Sequence, residues 1–108
     1  MVRQLSVGDL AAKLAGKESV YLIDVREPWE HETAALPNSV LVPLNELMGR
    51  TDELHPPAEA LVVVYCHHGI RSLSGAALLE AAGFKNVVSL AGGIDAWSLQ
   101  IDPNLSRY

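Results

Sequence analysis

Residues 61–72 of the chain read Leu-Val-Val-Val-Tyr-Cys-His-His-Gly-Ile-Arg-Ser. The first five are apolar and mostly β-branched or aromatic, which predicts a strand over 61–65 that is buried on both faces. After a short loop that begins with Cys66, apolar residues recur at helical spacing and predict a helix over 72–82. This order, in which a buried strand leads through a loop into a helix, is typical of one unit of a parallel sheet.

The same order of elements extends along the chain in both directions. Further strands are predicted over 20–23, 40–42 and 86–90, helices over 6–16, 28–33 and 93–97, and one or two short helices within 44–54. Strands separated by helices predict an α/β fold in three layers, with a mainly parallel central sheet flanked by helices. Ligands of such sheets bind beyond the carboxyl ends of the strands, where Cys66 would lie.

Length and composition limit the classes of protein to which the chain could belong. With 108 residues, 49% of them hydrophobic, the sequence predicts a single domain over 1–108, in which 101–108 forms a C-terminal tail. The net charge of −5 argues against nucleic acid as a partner, because nucleic-acid binders neutralise phosphates. No apolar run approaches the ~20 residues of a membrane helix, so no membrane partner is expected. No secretory signal is visible either, and a reducing, cytoplasmic location is the expectation.

The chain has one cysteine, Cys66, so no disulfide can form within it. A metal site could be formed by Cys66, His67 and His68, with or without His31 or His55. Adjacent residues rarely point at one ion, and neither Cys-x-x-Cys nor His-x-x-x-His spacing is present. We therefore expect neither a metal nor another cofactor.

The loop after the strand has the properties of an anion site. Gly69 gives the backbone the freedom to curl, which would turn several N–H groups inward towards Cys66. The positive end of the following helix dipole adds to them, and such surroundings favour the reactive thiolate over the thiol. Residues 60–79 contain no Asp or Glu, so Arg71 is the only fixed charge there and we expect a locally basic pocket.

Residues 66–72 resemble the active-site loop of rhodaneses, in which Cys is followed by two variable residues, Gly, one further residue and Arg-Ser or Arg-Thr. Three other stretches resemble signatures of that family, in the family's order: Leu22-Ile23-Asp24-Val25-Arg26-Glu27-Pro28 with Glu30, Leu36-Pro37-Asn38-Ser39, and Leu90-Ala91-Gly92-Gly93-Ile94-Asp95-Ala96-Trp97. The resemblance covers nearly the whole chain and is closest to stand-alone, single-domain rhodaneses.

The resemblance implies a sulfurtransferase enzyme in which Cys66 is catalytic. Its thiolate would take the sulfane sulfur of a small anionic donor such as thiosulfate, and the persulfide would then pass the sulfur to cyanide or a thiol. Because the chain has no second cysteine, that acceptor must be external. The expected substrate-binding residues are those of the loop: His67, His68, Gly69, Ile70, Arg71 and Ser72. Arg71 would orient the donor or brace the loop. Asp24, Arg26 and Glu30 would form ion pairs at the end of a strand and so hold the loop in place.

Two other functions remain open. In the first, Cys66 receives a persulfide from one protein and delivers it to another, as a carrier or partner-binding module in a sulfur relay. In the second, the chain acts like the phosphatases and arsenate reductases that resemble this family. Those enzymes have five residues between Cys and Arg, whereas only 67–70 intervene here, and a tighter loop suits a single sulfur atom better than a phosphoryl group.

The sequence also departs from the family pattern. Ala34-Ala35 stands where Gly-His is common, so no role of that histidine can be transferred. Asn38 replaces a glycine, but Asn tolerates left-handed backbone geometry, and we expect the turn to be kept.

Overall fold

The structure, a computed structural model, describes residues 2–108 and contains within them five strands and four α-helices. The strands are Arg3–Leu5 (β1), Val20–Asp24 (β2), Val40–Leu41 (β3), Leu61–Tyr65 (β4) and Val87–Leu90 (β5). The α-helices are Val7–Ala15 (α1), Pro28–Thr33 (α2), Arg71–Ala81 (α3) and Gly93–Gln100 (α4). Two 3₁₀ helices, Leu44–Gly49 and Thr51–Glu53, account for the short helices predicted between β3 and β4.

All strand pairs are parallel, and the strand order is β1-β5-β4-β2-β3. In the register of the central pair, Asp24 at the end of β2 lies opposite Tyr65 at the end of β4. The segments that leave these two strands therefore emerge side by side at one edge of the sheet. Cys66 begins one of them, so it lies at the carboxyl end of a parallel strand, where the sequence predicts it.

Each face of the sheet is covered by helices. One hydrophobic cluster joins α1 and α4 to the sheet and includes Leu10 and the buried Trp97. The other joins α3 and the first 3₁₀ helix to the opposite face and includes Leu79 and Leu47. The predicted three-layer α/β fold with a parallel central sheet is thus confirmed.

The ends of the elements follow local chemistry that the sequence discloses. The Ser6 hydroxyl accepts the backbone N–H of Asp9 and begins α1, as expected of an N-cap. Pro28 occupies the first turn of α2, where its missing N–H costs nothing. Asn38, which replaces the family's glycine, has φ = 61°. The predicted turn is therefore kept, with left-handed geometry at Asn38.

The buried face of α3 differs in part from the predicted one. Apolar spacing predicts a core-facing side made of Leu73, Ala76 and Ala77 and widened by Leu78 and Leu79. Ala76 and Leu79 are buried as predicted, whereas Ala77 is exposed and the small residues Ser72 and Gly75 are buried as well. Gly75 packs so closely against Val64 that an added Cβ would lie 3.2 Å from its side chain. Small residues let this helix approach the sheet, and hydropathy alone gives them no weight.

Strand β1 was not predicted. It has three residues of mixed polarity and pairs only with β5 at the edge of the sheet, so it carries no apolar run.

Among residues 2–108, no helix combines the length and the apolar character needed to span a membrane.

Candidate active site

Cys66 directly follows β4 and lies at the floor of the loop that leads into α3. Its side chain is almost fully buried, with a relative exposure of 1%. The sulfur accepts backbone N–H groups from Gly69 at 3.2 Å and from Ser72 at 3.3 Å. The predicted inward turn of the loop N–H groups is thus present, and these donors stabilise negative charge on sulfur.

Helix α4 fixes the orientation of the first two peptide groups of the loop. The N–H of Ile94 donates to the Cys66 carbonyl at 2.9 Å, and that of Asp95 donates to the His67 carbonyl at 3.0 Å. In a planar trans peptide, C=O and N–H point in opposite directions. Because both carbonyls accept hydrogen bonds from α4, the N–H groups of His67 and His68 are directed away from α4.

Two glycines make this close approach possible. Gly69 has φ = 94°, as its predicted role in the curl requires, and an added Cβ would lie 2.9 Å from the Gly92 nitrogen. Gly93, at the start of α4, has φ = 60°, and a Cβ there would collide with the carbonyl oxygens of Cys66 and His67. The backbones of the loop and α4 are therefore in direct contact.

A pair of buried serines extends from the cysteine into the sheet. The Cys66 thiol lies 3.5 Å from the Ser72 hydroxyl, which in turn lies 2.7 Å from the hydroxyl of Ser89 on β5. Both serines are fully buried, and their mutual hydrogen bond satisfies them. The Ser72 hydroxyl is thus held where it can exchange a proton with sulfur or donate to a thiolate.

Arg71 forms an ion pair with Glu30 of α2. Its Nη1 and Nη2 atoms donate to the two carboxylate oxygens of Glu30 at 2.8 and 2.9 Å. The Arg71 hydrogen bonds lower the pKa of Glu30 to about 2, although burial acts in the opposite direction. This pairing corrects the expectation of a locally basic pocket, because α2 brings an acid to a stretch that has none of its own. The loop N–H groups, rather than net charge, therefore supply the attraction for an anion.

Asp24 and Arg26 form the buried ion pair expected at the end of β2. Arg26 donates through Nε and Nη2 to the two Asp24 oxygens at 2.8 and 2.7 Å, and through Nη2 to the Ala34 carbonyl at 2.6 Å. Both side chains are fully buried. His31 adds a contact to the same carboxylate at 2.8 Å from Nδ1. The pair ties the start of the β2 loop to the end of α2.

The two loop histidines lie on the outer wall of the site. Their rings stack with centroids 4.0 Å apart, and the other face of His67 stacks on Tyr108 at 3.9 Å with an interplanar angle of 12°. Burial, followed by the charge of His68, lowers the pKa of His67, so that ring is neutral near pH 7. The stack between Tyr108 and His68 gives His67 a fixed position in the loop.

A surface cleft of about 360 Å³ opens beside the loop, lined by Val25, Glu27, Leu44, Asn45 and Arg71. Arg71 is the residue that this cleft shares with the loop. Within residues 2–108, no three His, Cys, Asp or Glu side chains are grouped so that they could hold a metal ion.

Sequence reasoning missed three residues of this site. Ser89 left a signal, because it is the one polar residue of a strand buried throughout. Gly93 lies within a quoted signature, but nothing in the sequence indicates that α4 contacts the cysteine loop. Tyr108 gave no signal, because it lies in the predicted C-terminal tail over 101–108, far from the loop in sequence.

Comparisons with known proteins agree on one family. The model of the Rhodanese-like domain matches residues 6–100. A sulfurtransferase of Allochromatium vinosum is 35% identical over 91% of this chain and 90% of its own length. The adenylyltransferase and sulfurtransferase uba4 of Ogataea parapolymorpha is 38% identical over 89% of this chain, which spans only 24% of that larger relative.

A solved structure gives the same result. The crystal structure of a rhodanese-related protein from Thermoplasma volcanium superposes with a TM-score of 0.80 at 29% identity, covering 92% of this chain and 93% of the other.

Proposed function

Because this chain belongs to the Rhodanese-like domain family of sulfurtransferases and sulfur carriers, we propose that it transfers sulfane sulfur through a persulfide on Cys66. The observation that carries this proposal is the position of the only cysteine of the chain at the floor of a loop whose N–H groups point at its sulfur. A thiolate in that place is a nucleophile already surrounded by donors for negative charge.

The first half-reaction takes sulfur from a small anionic donor, for which we propose thiosulfate. The Cys66 thiolate attacks the outer sulfur, the S–S bond of the donor breaks, and sulfite leaves with the electron pair. The resulting Cys66 persulfide carries one negative charge on its outer sulfur, about 2 Å beyond Sγ. The N–H groups of the loop and the Ser72 hydroxyl lie in position to stabilise that charge, as an oxyanion hole does.

The second half-reaction passes the sulfur to an external acceptor. Cyanide, or the thiolate of another molecule, attacks the outer sulfur, and the S–S bond breaks to return the electron pair to Cys66. The products are thiocyanate or a persulfide of the acceptor. No proton transfer is required in either half-reaction, which agrees with an arrangement that uses N–H donors and a neutral His67.

Steady-state turnover tests this proposal. Purified protein with thiosulfate and cyanide should produce thiocyanate with ping-pong kinetics, and Cys66→Ser should produce none above the uncatalysed rate. Equal rates for the two proteins would show that Cys66 carries no sulfur in turnover.

Sulfur carriage between proteins is a second candidate, favoured by the apolar side chains near the loop. Ile70, within the loop, has a relative exposure of 72%, and Trp29, next to Glu30, has one of 59%. A small anion needs no exposed apolar side chains for binding, whereas a protein partner buries such side chains at the centre of its interface. Saturable persulfide transfer to a protein thiol alongside very slow cyanide turnover would favour carriage, and the reverse pattern would favour the thiosulfate enzyme.

A further inference from the structure

The segment after α4 returns to the cysteine loop and places Tyr108 beside it. The Tyr108 ring stacks on His67, the residue that directly follows Cys66, with centroids 3.9 Å apart. The edge of Trp29 on α2 meets the same tyrosine ring at 5.5 Å. Leu105 and Ile101 pack against the core cluster beneath, which anchors the segment independently of the tyrosine.

The hydroxyl of Tyr108 links the two ion pairs of the site. It accepts Arg26 Nη1 at 2.7 Å and donates to Glu30 Oε2 at 2.8 Å. Burial raises the pKa of Tyr108 to about 12, so the hydroxyl keeps the proton that it donates. Glu30 in turn holds Arg71, the first residue of α3. A continuous chain of hydrogen bonds therefore runs from Arg26 through Tyr108 and Glu30 to the far end of the loop.

We propose that Tyr108 is a positioning residue for sulfur transfer, which restrains the cysteine loop at both ends: its ring fixes His67, and its hydroxyl fixes Arg71 through Glu30. This inference rests on the proposed function and adds to it a residue outside the loop and its signatures. The loop N–H groups must stay aimed at one sulfur atom, and a displacement of about 1 Å at a reacting centre can cost ~10²-fold in rate.

Two substitutions separate the ring from the hydroxyl. Tyr108→Phe keeps the stack on His67 and removes the link to Glu30, whereas Tyr108→Leu removes both. Tyr21→Phe is the matched control for the hydroxyl, because the Tyr21 oxygen accepts the backbone N–H of His55 far from the loop. Leu105→Ala is the control for a loosened tail, because Leu105 belongs to the anchor and not to the stack.

The rate of Cys66 persulfide formation, followed by rapid quench and mass analysis over a range of thiosulfate concentrations, is the first measurement. We expect roughly a 3-fold lower first-order rate in Tyr108→Phe and roughly a 10-fold to 100-fold lower rate in Tyr108→Leu, with both controls within about 2-fold of wild type. The first-order rate, rather than the half-saturating concentration, should change, because Tyr108 orients the loop and does not bind the donor.

The second measurement, NMR titration of the His67 ring, reports the stack directly. Burial is the main cause of the low His67 pKa, so removal of the tyrosine ring should raise it towards 6.5 in Tyr108→Leu but not in Tyr108→Phe or Leu105→Ala. The other charged groups that act on His67 remain in every variant: His68, Asp95, Glu30 and Arg26.

Wild-type rates of persulfide formation and an unchanged His67 titration in folded Tyr108 variants would overturn the inference about Tyr108 but leave the proposed function intact. A wild-type protein that forms no persulfide would overturn the proposed function, and the inference with it. If Tyr108→Leu does not fold, Tyr108→Phe decides: a slowed reaction at normal stability supports the inference, and a rate equal to that of Tyr21→Phe overturns it.

Discussion

At the scale of single residues, Gly93 matters because it carries no side chain. The carbonyls of Cys66 and His67 reach the N-terminus of α4 across the space that a Cβ would fill. Those two hydrogen bonds direct the next N–H groups, of His67 and His68, away from α4. The orientation of the first two peptide groups of the loop thus depends on a residue that lies 27 positions after the cysteine in the sequence.

Gly93→Ala should therefore disturb the chemistry as well as the backbone. Its matched control is Gly83→Ala, since Gly83 also has positive φ (99°) but has open space where a Cβ would go. Gly83→Ala should lower the free energy of unfolding by about 1–2 kcal/mol through backbone strain. Gly93→Ala should lower it further, because its Cβ would also collide with the two carbonyl oxygens. Only Gly93→Ala should also slow persulfide formation, by roughly 100-fold.

Urea unfolding and the single-turnover rate, measured on the same preparations, distinguish the two variants. Equal rates in folded Gly93→Ala and Gly83→Ala would contradict the role given to the contact between α4 and the loop.

At the scale of elements, helix α2 reaches the cysteine loop through the Glu30–Arg71 pair. A carboxylate whose pKa is lower in the folded than in the unfolded chain stabilises the fold above the unfolded value and loses that contribution as the pH falls towards the folded one. For Glu30 the pKa falls from 4.5 to about 2, so its contribution should be complete at pH 5 and above and should disappear between about pH 4.5 and pH 2.

Glu30→Gln should accordingly be less stable than wild type near neutral pH, and the difference should shrink as the pH falls through that window. Glu32→Gln, which removes an exposed carboxylate from the same helix, is the matched control and should change the free energy of unfolding little. Denaturant unfolding at several pH values measures both differences. A Glu30→Gln difference that stays constant down to pH 2 would contradict the assigned pairing.

Most elements could be predicted because their signals are local. Apolar runs gave β2, β4 and β5 within one residue at each end, and Ser6 and Pro28 marked the starts of α1 and α2. Strand β1 could not be predicted, because its stability comes from pairing with β5 rather than from its own residues. The buried face of α3 could be predicted only in part for a related reason: Ala76 and Leu79 are apolar, whereas Ser72 and Gly75 are buried because of the elements that pack against them and not because of their hydropathy.

At the scale of the whole molecule, Arg26 joins several parts of the chain in one buried network. It binds Asp24 at the end of β2, the Ala34 carbonyl after α2, and the hydroxyl of Tyr108. Removal of one member of a buried ion pair leaves the other charge without compensation, which typically costs about 3–5 kcal/mol. That is a large part of the roughly 5–15 kcal/mol that stabilises a domain of this kind.

Arg26→Met should therefore strongly lower the urea midpoint of unfolding, and Arg26→Lys, which keeps the charge but loses the planar fork, should lie between it and wild type. Arg50→Met is the control, because Arg50 forms its two ion pairs with Glu46 and Glu53 at the surface. Its midpoint should change little. Equal losses for the two methionine variants would show that the buried network does not hold the molecule together.

Contacts between residues far apart in the chain limited how much of the site could be predicted from the sequence. The loop itself was predictable, because Cys66, Gly69 and Ser72 lie within seven consecutive residues and their spacing is informative. The Arg71–Glu30 pair spans 41 positions and the Tyr108–Glu30 contact spans 78, so only the fold brings them together. An acid-free stretch of sequence was consequently mistaken for an acid-free pocket.

The central claim is that Cys66 accepts and holds one sulfane sulfur, and intact-mass analysis tests it most directly. Since Cys66 is the only cysteine, an adduct of a single sulfur atom in the native chain is assigned without further mapping. After incubation with thiosulfate, the mass of the wild-type protein should increase by one sulfur atom, and this increase should disappear on addition of cyanide. The mass of Cys66→Ser should not change at either step. A wild-type mass that thiosulfate leaves unchanged, or an adduct that persists in Cys66→Ser, would contradict the claim.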